Sequence, residues 1–129
     1  MERRQILEQR NTKVSGRNGE LKAAEFLERQ GCSILEKNFS VRSGEIDIIY
    51  LDEDTICFGE VKYRKTDKNG SGEEAVNYKK QRQISRTSDY YRMENDLSEE
   101  LSYRFDVIAI TDSEIKWLKN AFYYIPRRN

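Results

Sequence analysis

Two apolar runs separated by almost nothing set the terms for this chain. Residues 46–51 and 56–61 are joined only by Asp52-Glu53-Asp54-Thr55, a link too short for anything but a β-hairpin. Placing the reversal on Glu53-Asp54 fixes the expected register: Leu51 faces Ile56, Ile49 faces Phe58, Asp47 faces Glu60 and Glu45 faces Lys62. Alternation along a strand puts all of these on one side of the sheet, apolar pairs near the turn and charged pairs at the far end. Ile46, Ile48 and Tyr50, against Val61, Gly59 and Cys57, form the other side. With both sides largely apolar, the hairpin belongs in the middle of a covered sheet. Asp47 and Glu60, as directly opposed carboxylates, repel one another. The far end therefore either opens onto water or gathers a cation.

The flanking sequence supplies the cover. Residues 15–30 read as a helix, capped by Ser15 and stopped by Gly31. Glu20, Ala23, Ala24 and Leu27 share its inward stripe. Gly19 costs a helix about 1 kcal/mol relative to Ala, which predicts close approach of another backbone there. Residues 33–35 and 39–42 read as short extended segments with a kink at Lys37-Asn38, and residues 65–73 as a polar loop. A second helix is expected from 74 to about 93, with Val76, Ile84, Thr87 and Tyr91 as a thin apolar stripe shared by Lys80 and Gln83. Residues 102–110 form a strand whose Arg104 and Asp106 lie on one side, an expected ion pair under the second helix. Residues 114–118 and 121–125 close the chain as extended pieces. Residues 1–14 are an arm or short helix, and 15–129 a single domain.

Charge narrows the function classes. The chain carries 23 basic and 23 acidic residues, so no global field draws it onto polyanions. Locally, the stretch from Lys62 to Arg92 is basic, which reads either as a groove for phosphates or as a solvated helix face. Cys32 and Cys57 are too few for a disulfide framework, and without histidine they build no zinc site. No apolar run approaches the ~18 residues of a membrane helix, and the N-terminus has no secretory pattern. These features predict a soluble cytoplasmic protein with no membrane partner.

The charged end of the hairpin carries the chemistry. Mg²⁺ takes oxygen ligands, often one or two carboxylates completed by water and substrate phosphate. Asp47 and Glu60 can supply the carboxylates, and Lys62 can orient or deprotonate an attacking water. The Glu-x-Lys pattern alone is weak, since it also occurs at Glu20–Lys22 and Glu114–Lys116. Only the copy at Glu60–Lys62 has an acid delivered opposite it. The competing structural reading is a Glu45–Lys62 cross-strand ion pair, with Asp47 and Glu60 reaching solvent.

The ordered set of motifs resembles a known family. Gly19-Glu20, Gly44-Glu45-Ile46-Asp47, Gly59-Glu60-Val61-Lys62-Tyr63-Arg64, Lys80-Gln81 and Arg104-Phe105-Asp106-Val107 are similar to the YraN-like family of small bacterial proteins. That family is a predicted endonuclease group with the PD-(D/E)XK, or restriction-endonuclease-like, fold. Ile46 stands where the motif's proline would be, and Gly59 where the family usually has a larger residue. The resemblance implies an α/β fold with an αβββαβ core, a mixed central sheet flanked by helices. It implies metal binding by Asp47 and Glu60, catalytic roles for Lys62 and Glu20, and nucleic-acid contacts from Lys80, Gln81 and Arg64. The expected cofactor is Mg²⁺, with Mn²⁺ a substitute. The expected partner is nucleic acid, DNA ahead of RNA, with monomer and homodimer both open.

Overall fold

The computed structural model describes residues 14–63 and 76–128. Helix α1 (Val14–Arg29) leads into β1 (Ser33–Val41), β2 (Gly44–Asp52) and β3 (Thr55–Tyr63). Helix α2 (Tyr78–Glu94) then precedes β4 (Ser102–Ile110) and β5 (Ile115–Phe122). The five strands form one sheet in the order β1-β2-β3-β4-β5. Neighbours run antiparallel except β3 and β4, which are parallel. A parallel pair needs a long crossover, and α2 lies within it. Among the described residues no helix is long and apolar enough to cross a membrane.

Each sheet face is covered by one helix, because the central strands are apolar on both sides. On one face Ala23, Ala24 and Leu27 of α1 pack on Ile48, Tyr50, Cys57 and Ile108. On the other, Ile84 and Tyr91 of α2 pack on Ile49, Phe58, Phe105 and Val107. Tyr91 meets both Phe39 and Phe58 edge-on, at centroid distances of 5.2 and 6.0 Å. Gly59 is required by the first of these cores. A Cβ there would lie 2.9 Å from Ile108 Cδ1 and Ile48 Cγ2, and 3.0 Å from the Tyr50 ring. The space beside position 59 is thus taken by Tyr50, Ile48 and Ile108.

Several expectations need revision. The hairpin register holds where it forms, from Ile48–Gly59 to Asp52–Thr55, with Glu53 at a left-handed φ of 55° in the turn. The expected Asp47–Glu60 and Glu45–Lys62 pairs do not form, for the ladder stops at Ile48–Gly59. The two extended pieces before it are one strand, β1, with an irregularity between Ile34 and Glu36 and a left-handed Asn38 at φ 56°. The last two pieces likewise join as β5, with Asn120 at φ 56° absorbing the irregularity. Helix α2 starts later than expected, at Tyr78, because the Asn77 side chain accepts the Lys80 N–H and caps it. Gly19 approaches side chains of β3 rather than backbone. A Cβ would meet Val61 Cγ1 and Tyr63 Cβ at 3.6 Å, ordinary contact that an alanine could make. The arm before Val14, Arg64 and the loop 65–73 lie outside the described residues.

Candidate active site

Where β2 and β3 part, they part for a reason visible in their other neighbours. β2 stays paired with β1 as far as Gly44, while β3 stays paired with β4 as far as Tyr63. Each strand follows its outer partner, and a fork opens between them beyond Ile48 and Gly59. Asp47 turns into that fork. Its Oδ2 accepts the Val61 N–H at 2.8 Å, so a side chain replaces the missing ladder carbonyl. The alternation breaks at the same point: Ile46 packs in the α2-side core and Ile48 in the α1-side core. Asp47 therefore does not share a face with Ile49 as the ideal hairpin predicts.

Glu60 stands on the other prong and is 5% exposed. Its Oε2 lies 3.5 Å from the Lys62 ammonium and 3.9 Å from that of Lys80. Its Oε1 is buried without a hydrogen-bond partner among the described residues. Burial, the charge of Glu60 and the weaker effects of Glu20 and Glu45 push the Asp47 carboxyl up to about 8, against the Val61 N–H, which pulls it down. The fork thus collects acids from α1, β2 and β3 and lysines from β3 and α2. The competing Glu45–Lys62 pair is not made; the Lys62 ammonium goes to Glu60.

These donors suit a hard cation. Among the described residues no three acid, cysteine or histidine side chains stand close enough to cage a metal unaided. Two carboxylates with water and substrate oxygens is the mode Mg²⁺ favours, and the orphaned Glu60 oxygen is the kind of group such an ion satisfies.

Of the residues singled out from sequence, Asp47, Glu60, Lys62 and Lys80 meet at the fork. Glu20 is near enough to raise the Asp47 carboxyl, and it is half-buried. Gln81 spends its side-chain amide on the Val76 carbonyl at 2.9 Å, anchoring the approach to α2. Arg104 and Asp106 do form the expected ion pair, at 2.8 Å, but on the α1 side of the sheet. There Asp106, fully buried, also accepts from Tyr50, Trp117 and the Asn120 N–H. Sequence reasoning placed the pair under the wrong helix because strand parity does not say which helix covers which face. It also left Arg82, Arg127 and Arg128 unassigned, though they gather on the outer side of α2. Only the basic character of the segment containing Arg82 hinted at this.

The five-stranded mixed sheet with one helix per face, forked where acids gather, defines an α/β protein with the element order of a restriction-endonuclease-like core. Its relatives are more specific. The pattern of the uncharacterised protein family UPF0102 matches residues 19–110. A UPF0102 protein of Aliivibrio fischeri strain MJ11 is 43% identical over 114 residues, covering 86% of this chain and 93% of its own length. One from Lachnoclostridium phytofermentans is 44% identical over 112 residues, covering 87% and 95% respectively. Another, from Francisella tularensis subsp. tularensis strain WY96-3418, is 44% identical over 108 residues, covering 83% and 92%. The chain belongs to family UPF0102.

Proposed function

We propose that this protein is a metal-dependent nuclease that hydrolyses phosphodiester bonds of nucleic acid, DNA in preference to RNA. One observation carries the reading. Glu60 is buried with one oxygen unpartnered among the described residues, beside an Asp47 carboxyl held up at about 8. Such an arrangement is costly unless a ligand completes it.

A Mg²⁺ or Mn²⁺ ion held by Asp47 and Glu60 would supply Lewis-acid stabilisation of charge developing on the phosphate. The chain's own groups do the rest. The Lys62 ammonium orients the attacking water toward phosphorus. The water oxygen bonds to phosphorus and gives up a proton to solvent as the ester P–O bond breaks, and the departing oxygen takes up a proton from solvent. Lys80, reaching the same Glu60 oxygen from α2, offsets charge where the scissile phosphate would sit. Glu20, from α1, adds to the negative potential that draws a cation into the fork.

The test is cleavage of labelled oligonucleotides with Mg²⁺ or Mn²⁺. Glu60→Gln and Lys62→Ala should each lose about 10²-fold or more in rate, with circular dichroism and melting behaviour retained. A Glu60→Gln variant cutting at the parental rate would sink the proposal. The lack of a three-ligand cluster among the described residues favours a second reading, a non-catalytic nucleic-acid- or protein-binding module. That reading predicts binding insensitive to metal and no cleavage of any substrate.

A further inference from the structure

We infer that a basic cleft between α2 and the C-terminal tail is a docking track for the phosphodiester backbone of a nucleic-acid strand, separate from the fork but leading into it. The cleft has a volume of about 470 Å³ and is lined by Tyr78, Lys79, Arg82, Arg86, Arg127 and Arg128, with no carboxylate among the described residues of its wall.

The cleft is built, not accidental. After β5 the chain is pinned to α2: the Ser85 hydroxyl accepts the Ile125 N–H at 3.0 Å, and Arg86 donates to the Ile125 carbonyl. Tyr124 donates to Asp89 at 2.9 Å. These bonds bring Arg127 and Arg128 across from Lys79 and Arg82, which are far away in sequence. Arg86 and Arg127 share the carboxylate of Asp89, at 3.3 and 3.8 Å. Lys79, Arg82 and Arg128 have no ion pair among the described residues. Placing Lys79 and Lys80 in the first turn of α2, which holds no acid, runs against the helix dipole. Cations gathered against that field, and left uncompensated, are best explained by an anionic partner.

Position ties the cleft to the fork. Lys79 lines the cleft while its neighbour Lys80 reaches Glu60. Ser43 and Gln83 also line it, and Gln83 packs so closely on Gly44 that a Cβ there would lie 2.6 Å from Gln83 Cγ. From Ser43 to Asp47 the chain can span at most about 14 Å, or about four steps along a strand of B-form DNA. A backbone lying in the cleft would therefore reach the fork within a few nucleotides.

This inference takes up the nuclease reading but is tested without cleavage. Fluorescence anisotropy in EDTA, with short single-stranded and duplex DNA and RNA over a salt series, compares the parent with Lys79→Ala/Arg82→Ala/Arg128→Ala. Each lost phosphate contact lowers the slope of log K against log salt by about 0.9 for duplex or 0.7 for a single strand. The triple variant should lose about two to three in slope and about tenfold or more in affinity for the form that binds. Arg29→Ala/Lys37→Ala/Lys116→Ala, an equal change of charge elsewhere, should leave both unchanged. Which strand form shows the effect identifies the ligand. A triple variant matching the parent, a control set falling equally, or no binding to any strand would overturn the proposal. Cleavage by a variant with parental binding would sink the cleft alone, and slope loss without cleavage in the parent would sink the nuclease alone.

Discussion

Replacing Asp47 by Asn tests the electrostatic reasoning where it is most demanding. The amide keeps an oxygen for the Val61 N–H, 2.8 Å away, and removes the charge. Burial and the Glu60 charge move the Asp47 carboxyl from 3.8 to about 8. Between those values the folded protein holds a proton that the unfolded chain has released. Folding therefore becomes less favourable as pH rises through this window, and the loss levels off above it. At about 1.4 kcal/mol per pH unit, the loss from about pH 5 to about pH 8 is bounded near 4 kcal/mol. The open fork lets side chains and water relax, so about half of that bound is expected. Urea unfolding in EDTA should show Asp47→Asn gaining on the parent by about 2 kcal/mol from about pH 5 to about pH 8. Mg²⁺ added at the higher pH should restore the parent and leave the variant unmoved. A variant that tracks the parent at both pH values refutes the picture of Asp47 as a strained acid at a cation site.

Three further substitutions probe the scaffold. Gly59→Ala forces a methyl to within 2.9 Å of Ile108 and Ile48, and overpacking of this kind should cost about 1–3 kcal/mol in denaturant unfolding. Unchanged stability would mean that the α1-side core yields more readily than its packing indicates. Asp106→Ala strands the Arg104 guanidinium together with Tyr50, Trp117 and Asn120 donors, and should cost about 3–5 kcal/mol. By contrast, Lys116→Ala, on the exposed Glu114–Lys116 pair at 3.8 Å, should cost less than about 1 kcal/mol by the same measurement.

The hairpin was legible because its constraint is local: four polar residues between two apolar runs leave one way to turn. The same local logic located Asp47, Glu60 and Lys62 near one another. It could not foresee the fork, because β2 leaves β3 to follow β1, and that choice depends on a pairing no short motif encodes. Ideal alternation accordingly gave Asp47 a sheet-face position, whereas its carboxylate lies in the gap as a substitute for backbone. Gln81 was expected at phosphate only through the family resemblance, which does not show that its amide is spent on the Val76 carbonyl at the approach to α2. The cleft was hidden for a different reason. Two of its five cations, Arg127 and Arg128, come from a tail separated from α2 by two strands in sequence, and the bonds to Ser85, Arg86 and Asp89 bring it back.

One sheet holds two nearly inaccessible carboxylates, and their treatment differs. Asp106 is surrounded by donors: Arg104 meets both oxygens, Tyr50 and Trp117 reach one, and the Asn120 N–H reaches the other. Arg104 is in turn tied to Asp52 at 2.9 Å, which links β4 to the turn end of β2. That is how a buried acid is arranged when its task is to hold strands together, since each lone pair given up to burial is repaid locally. Glu60, on the neighbouring strand, has two lysines beside one oxygen at 3.5 and 3.9 Å and, among the described residues, nothing for the other. The fold can evidently satisfy a buried carboxylate completely. An incompletely satisfied one at the fork, with a second acid held partly protonated beside it, is therefore poorly explained as scaffolding. Its unmet bonding capacity is what a cation and a phosphate would complete.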